Sequence, residues 1–67
     1  MAVLKVIEVL ASSKKSWEDA TKNAVKHASK TVKGIKSANV QNQSVVITDG
    51  EVEEFRVNLK IAFEVLD

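Results

Sequence analysis

The chain has no cysteine and no proline, and among its 67 residues there are two glycines, one tryptophan, two phenylalanines and a single histidine. Without cysteine there is no disulfide framework, no thiolate metal site and no cysteine nucleophile, and a lone histidine makes no histidine cluster. No proline-rich linker, repeat or low-complexity tract divides the sequence, which reads as one domain over residues 1–67. No apolar stretch approaches the roughly 20 residues of a membrane-spanning helix. The apolar run from Ala2 is broken by Lys5 and Glu8, too early for an export signal. A soluble, cytoplasmic protein with no membrane partner is expected. Neither charge sign dominates: 10 Lys and Arg stand against 9 Asp and Glu, so the whole-chain charge marks neither a polyanion binder nor an acidic disordered tail. A core of this size rarely supplies more than about 3–5 kcal/mol, and with no staple available the chain is expected to gain the remainder by self-association.

What is present reads in the order β-α-β-β. The β-branched run Val3 to Leu10, followed by Ala11-Ser12-Ser13, predicts a strand entering a turn. Ser16 is a candidate helix N-cap, with Glu18 and Asp19 placed to satisfy the first-turn N–H groups. The apolar stripe Trp17, Ala20, Ala24, Ala28, Val32 and Ile35 predicts a helix from Trp17 to Lys33, stopped by Gly34 and lined on its other side by Lys22, Lys26, Lys30 and Lys33. A stripe made mostly of alanine lets the helix lie close to a sheet. Val40, Val45, Val46 and Ile47 lead into Asp49-Gly50, a strong hairpin signal. The third strand alternates most cleanly, with Phe55, Val57, Leu59, Ile61, Phe63 and Val65 on one side and Glu54, Arg56, Asn58, Lys60 and Glu64 on the other. From Glu51 to Leu66 it would extend about 50 Å, against about 25 Å for the helix. One helix cannot cover that sheet, so a closed homo-oligomer is expected.

No catalytic constellation is visible. Ser12, Ser13 and Ser16 lack nucleophile-elbow glycines, and no HExxH, GxxxxGK or GxGxxG spacing occurs, so the chain is read as a non-enzyme. The near-zero charge conceals a division: residues 14–36 carry seven Lys against Glu18 and Asp19, whereas residues 37–67 carry Arg56 and Lys60 against six acids. The basic face reads as solvated helix surface with Glu18–Lys22 support. Nucleic-acid binding is not expected, because that face has neither stacking aromatics nor arginine. On the second strand, simple alternation groups Ser37, Asn39, Gln41 and Gln43 with Arg56, Asn58 and Lys60 of the third, and with Glu8 of the first. This amide-rich face reads either as an ordinary wet sheet surface or as a set of fixed donors and acceptors suited to a small polar, planar ligand or to interior waters of a hollow assembly.

The segments Lys5-Val6-Ile7-Glu8-Val9, Ser12-Ser13, Ser16-Trp17-Glu18-Asp19-Ala20, Ala24-Val25, Phe55-Arg56-Val57 and Ile61-Ala62-Phe63-Glu64-Val65 together resemble the dodecins over essentially the whole chain. The resemblance implies an α+β fold, β-α-β-β, in which a three-stranded antiparallel sheet wraps around one helix. It further implies a homododecamer, a hollow sphere that stores or sequesters flavins such as riboflavin or FMN. The family's flavin binders stack the isoalloxazine on a Trp just after the helix, where this sequence has Ser37, and they use a strand-three Gln where it has Arg56. Tight flavin binding is therefore not implied, and the pattern is similar to a branch that lacks the Trp and includes calcium dodecins. Calcium would need converging oxygens from Asp49, Glu51, Glu53, Glu54, Glu64 or Asp67, which lack EF-hand spacing. The alternative is a structural or calcium-binding oligomer with no organic ligand.

Overall fold

The computed structural model describes residues 3–65; Ala2, Leu66 and Asp67, which entered the sequence reading, lie outside them. It contains β1 (Leu4–Ser13), α1 (Trp17–Ala28), β2 (Ile35–Thr48) and β3 (Glu51–Glu64). The sheet is antiparallel with strand order β1-β3-β2, so the last strand is the central one. That position explains its clean alternation. A central strand has a neighbour on each side, so its side chains divide strictly between the two faces. Val57, Leu59 and Ile61 are buried on the helix side, where they meet Ala20 and Ala24 of α1. Ile7, Val9, Ala11, Val25 and Ile35 pack around this cluster. Alanine at both helix contact points keeps α1 close to the strand beneath it.

The helix starts as the sequence requires. Ser16 Oγ accepts the Asp19 N–H at 2.9 Å, and Asp19 in turn accepts from Ser13 Oγ at 2.6 Å and from Asn23 Nδ2 at 3.2 Å, which ties the end of β1 to the first turn. Trp17 Nε1 donates to the Ser44 carbonyl at 2.9 Å, and its ring meets Phe55 edge-on with centroids 5.2 Å apart. This lone tryptophan therefore pins the helix start to β2 and β3.

The helix ends earlier than its periodicity suggests, at Ala28 rather than Lys33. Ser29 competes for the Val25 carbonyl with both its N–H (2.9 Å) and its Oγ (2.8 Å), and the next bonds, Lys30 N to His27 O and Thr31 N to Ala28 O, are of the tighter i→i+3 kind. The chain unwinds over Lys30 to Lys33. Val32 and Ile35 therefore leave the helical stripe, Ile35 becoming the first residue of β2, and the lysine row ends at Lys26. Gly34 is not the helix stop. It is a left-handed joint, φ +76°, through which the chain enters β2, and its carbonyl accepts the Glu64 N–H at 2.9 Å. A Cβ at this position would meet the Glu64 carbonyl oxygen at 3.3 Å.

The hairpin turn is as expected: Asp49 and Gly50 both have positive φ, the signature of a two-residue type I′ turn. β2 and β3 each run 14 residues, about 46 Å, whereas α1 with 12 residues spans about 18 Å. The molecule accordingly measures 50 × 20 × 13 Å. Apolar surface is left over at the hairpin, where Ile47 is 64% and Val52 53% exposed, and Leu10, on the face away from the helix, is 77% exposed.

Two substitutions test this packing in denaturant melts. Leu59→Ala should cost about 2–5 kcal/mol, because the side chain is fully enclosed. Gly34→Ala should cost about 1 kcal/mol or more, since it combines a left-handed backbone with a close backbone neighbour.

Candidate functional site

The face of the sheet away from the helix carries the candidate site, and β-bulges decide its membership. Register runs Asn39↔Lys60, Val40↔Leu59, then Asn42↔Asn58, Gln43↔Val57 and Ser44↔Arg56, so Gln41 is an extra residue on β2. Such a bulge shifts the period-two alternation by one. Gln43, expected on the polar face, instead sits opposite buried Val57 on the helix side, and Gln41 occupies the bulge itself. Asn42 and Ser44 take their places. A second irregularity between Ile35 and Ser37 sets Ser37 opposite Ala62, on the polar face with Asn39. Glu8 of β1 lies opposite Lys60, which is itself opposite Asn39, so one row crosses all three strands.

The polar face holds two separate groups. Ser37 pairs with Ala62, six β3 positions from Arg56, a separation of about 20 Å along the strand. Ser37 and Arg56, the two positions singled out by the family resemblance, therefore do not meet on one chain. Around Arg56 and Asn58 there is a recess of about 430 Å³ lined by Leu10, Ala11, Asn42, Ser44, Arg56, Val57 and Asn58. Its polar contributors come from β2 and β3, and Leu10 of β1 closes one side. Asn58 Oδ1 is buried there and has no hydrogen-bond donor among the described residues. A buried acceptor without a donor is costly, so the recess is chemically suited to a group that brings an N–H or O–H. Arg56 supplies donors and a fixed positive charge beside it. Asn42, Ser44 and Leu10 escaped the sequence reading. The signal for the first two was the lapse in alternation near Gln41, which marks a bulge.

Of the acids considered for a cation, Asp49, Glu51 and Glu53 cluster at the hairpin end, where Glu53 accepts a hydrogen bond from Thr48 Oγ1. Among the described residues no group of three or more His, Asp or Glu is placed to hold a metal ion. Among the described residues no helix is long and apolar enough to cross a membrane.

A three-stranded antiparallel sheet, longer than the helix it wraps and carrying Arg56, Asn58 and Lys60 on its outer face, defines a β-α-β-β fold class. Residues 3–66 match the Dodecin family model, and the chain belongs to the dodecin family. It is 33% identical over 64 residues to the calcium dodecin of Mycobacterium tuberculosis, spanning 96% of this chain and 90% of that relative. The crystal structure of that calcium dodecin, described as calcium chelating with a novel calcium-binding site, aligns with TM-score 0.83 at 32% identity over 96% of this chain and 91% of the other. The dodecin of Streptomyces coelicolor aligns with TM-score 0.94 at 30% identity, covering 98% and 94% of the two chains.

If Asn58 Oδ1 lacks a donor in the ligand-free protein, Asn58→Leu should leave stability unchanged or raise it by about 1 kcal/mol in urea melts. A marked loss would show that the amide is already satisfied.

Proposed function

We propose that the chain is the subunit of a homododecameric, non-enzymatic shell in the cytoplasm that binds or stores a small polar ligand on its inward-facing sheet surfaces, with flavin affinity weakened relative to flavin-stacking members of the family. The observation that carries this reading is the uncovered sheet, whose apolar positions the short helix leaves exposed and whose polar face holds the Arg56–Asn58 recess. The dodecin membership supports the assembly, and Ser37 in place of a stacking aromatic supports the loss of flavin affinity. Stacking is worth about 1–3 kcal/mol per base on comparable platforms, which corresponds to roughly one to two orders of magnitude in affinity. The ligand-contacting set proposed is Ser37 and Asn39 from one part of the polar face, Arg56 and Asn58 from the other, and Asn42 and Ser44 in the recess. Gln41 and Gln43 are retained only as neighbours at the bulge.

The relative named calcium dodecin supports a second reading, in which carboxylates of different subunits share a calcium ion and no organic ligand is bound. It requires assembly too, because a single chain gathers no such group among its described residues.

Light scattering at micromolar concentration should return about twelve times the 7.3 kDa chain mass; a monomer would overturn the shell. Riboflavin and FMN fluorescence should be quenched only weakly, and Ser37→Trp should tighten binding roughly tenfold or more. Submicromolar quenching by the unaltered protein would overturn the claim of weakened affinity. A melting temperature lowered by EDTA and restored by calcium would favour the second reading, whereas an unchanged melt would leave the first alone.

A further inference from the structure

A second recess, of about 450 Å³, runs between α1 and the free edge of β1. Its floor is Ile7, Val9 and Ala11 of the strand and Ala24 and Ala28 of the helix, and its rim carries His27. The wall is mostly apolar, yet none of the described residues lies over it, and among them β1 has an unpaired edge because β3 occupies only its other side. Exposed Lys26, Lys30 and Lys33 are each next in sequence to a lining residue, His27, Thr31 and Val32, and residues 23–33 contain no acid.

The opposite character is found at the far end of the same molecule. β1 ends its pairing at Ser13↔Phe55, so the hairpin beyond Val45 and Phe55 projects past both β1 and the core. On this projection Ile47 and Val52 face each other across the strands, 64% and 53% exposed. Asp49, Glu51 and Glu53 surround them, and residues 46–53 contain no basic side chain. The chain thus has an exposed apolar pair beside three acids, and an apolar groove whose lining residues His27, Thr31 and Val32 are each adjoined in sequence by an exposed lysine.

We propose that the hairpin tip of one copy docks in the α1–β1 groove of the next, with Ile47 and Val52 in the groove and Asp49, Glu51 and Glu53 against Lys26, Lys30 and Lys33. The occupant is a second copy of this chain because both halves of the match, in apolar character and in charge sign, are on every copy. The two surfaces differ, so the contact is heterologous and repeats around a ring when the rotation between copies closes. It also covers the β1 edge, which would otherwise be open to uncontrolled strand pairing. The proposal rests on the self-assembly reading above and specifies which surfaces carry it.

The cysteine-free sequence makes a direct test clean. His27→Cys and Ile47→Cys, each at an exposed position, are prepared separately, mixed, reassembled and treated with a short bismaleimide. Cross-linked dimers are expected from the mixture, with little from either variant alone. In parallel, Lys26→Glu with Lys30→Glu should shift light scattering toward smaller species, and adding Glu51→Lys with Glu53→Lys should restore the large one. An oligomer of wild-type mass that gives neither cross-linking nor charge-swap rescue would overturn this contact while leaving the shell standing. A monomeric wild-type protein would overturn both. Cross-linking without charge sensitivity would overturn the ionic pairing and keep the apolar docking.

Discussion

The whole subunit depends on β3 being hydrogen-bonded on both sides. Its helix-side residues Val57, Leu59 and Ile61 are the largest enclosed side chains, and every other element is placed by reference to them. α1 lies over this strand with alanines because larger residues would lift it away, and β1 and β2 become edges because β3 has taken the centre. The same arrangement creates the molecule's deficit. A strand of 14 residues cannot be roofed by a helix of 12, since rise per residue in a strand is about twice that in a helix. The exposure of Ile47 and Val52 follows from that mismatch, whereas Leu4, Val6 and Leu10 are exposed on the opposite face of the sheet.

Features governed by local chemistry were legible in the sequence. The N-cap at Ser16, the type I′ turn at Asp49-Gly50 and the alternation of β3 each depend on residues within a few positions of one another, and each is found where the pattern places it. The helix end was obscured because Val32 and Ile35 continue a 3.6-residue period by coincidence, while the decisive event is the bonding of Ser29 back to Val25. The polar face was only half legible. A bulge at Gln41 is a property of the pairing between two strands, and a single strand read alone shows it only as untidy alternation. Ser37, Asn39, Arg56 and Asn58 could be assigned to that face by parity, whereas Asn42 and Ser44 could not.

The division of charge has a structural logic as well. Basic residues gather on the helix and its unwound end, and acids gather at the hairpin tip, in separate parts of an elongated molecule. The net charge is close to zero, so copies do not repel strongly at long range, while the separated signs favour ordered over random encounters. Lys22 already has a partner in Glu18 at 3.1 Å, which leaves the more distant lysines as the ones with charge to offer.

The separation of Ser37 from Arg56 along the sheet carries a consequence for regulation. In the shell proposed above, a small ligand that touched both positions would bridge different subunits, and an isolated chain would offer only half of such a site. Occupancy and assembly then become a single equilibrium, and each bound molecule raises the free energy of dissociating the particle by an amount set by its concentration relative to its dissociation constant. Such a container would seal more firmly as it filled, and dilution would release cargo and subunits together.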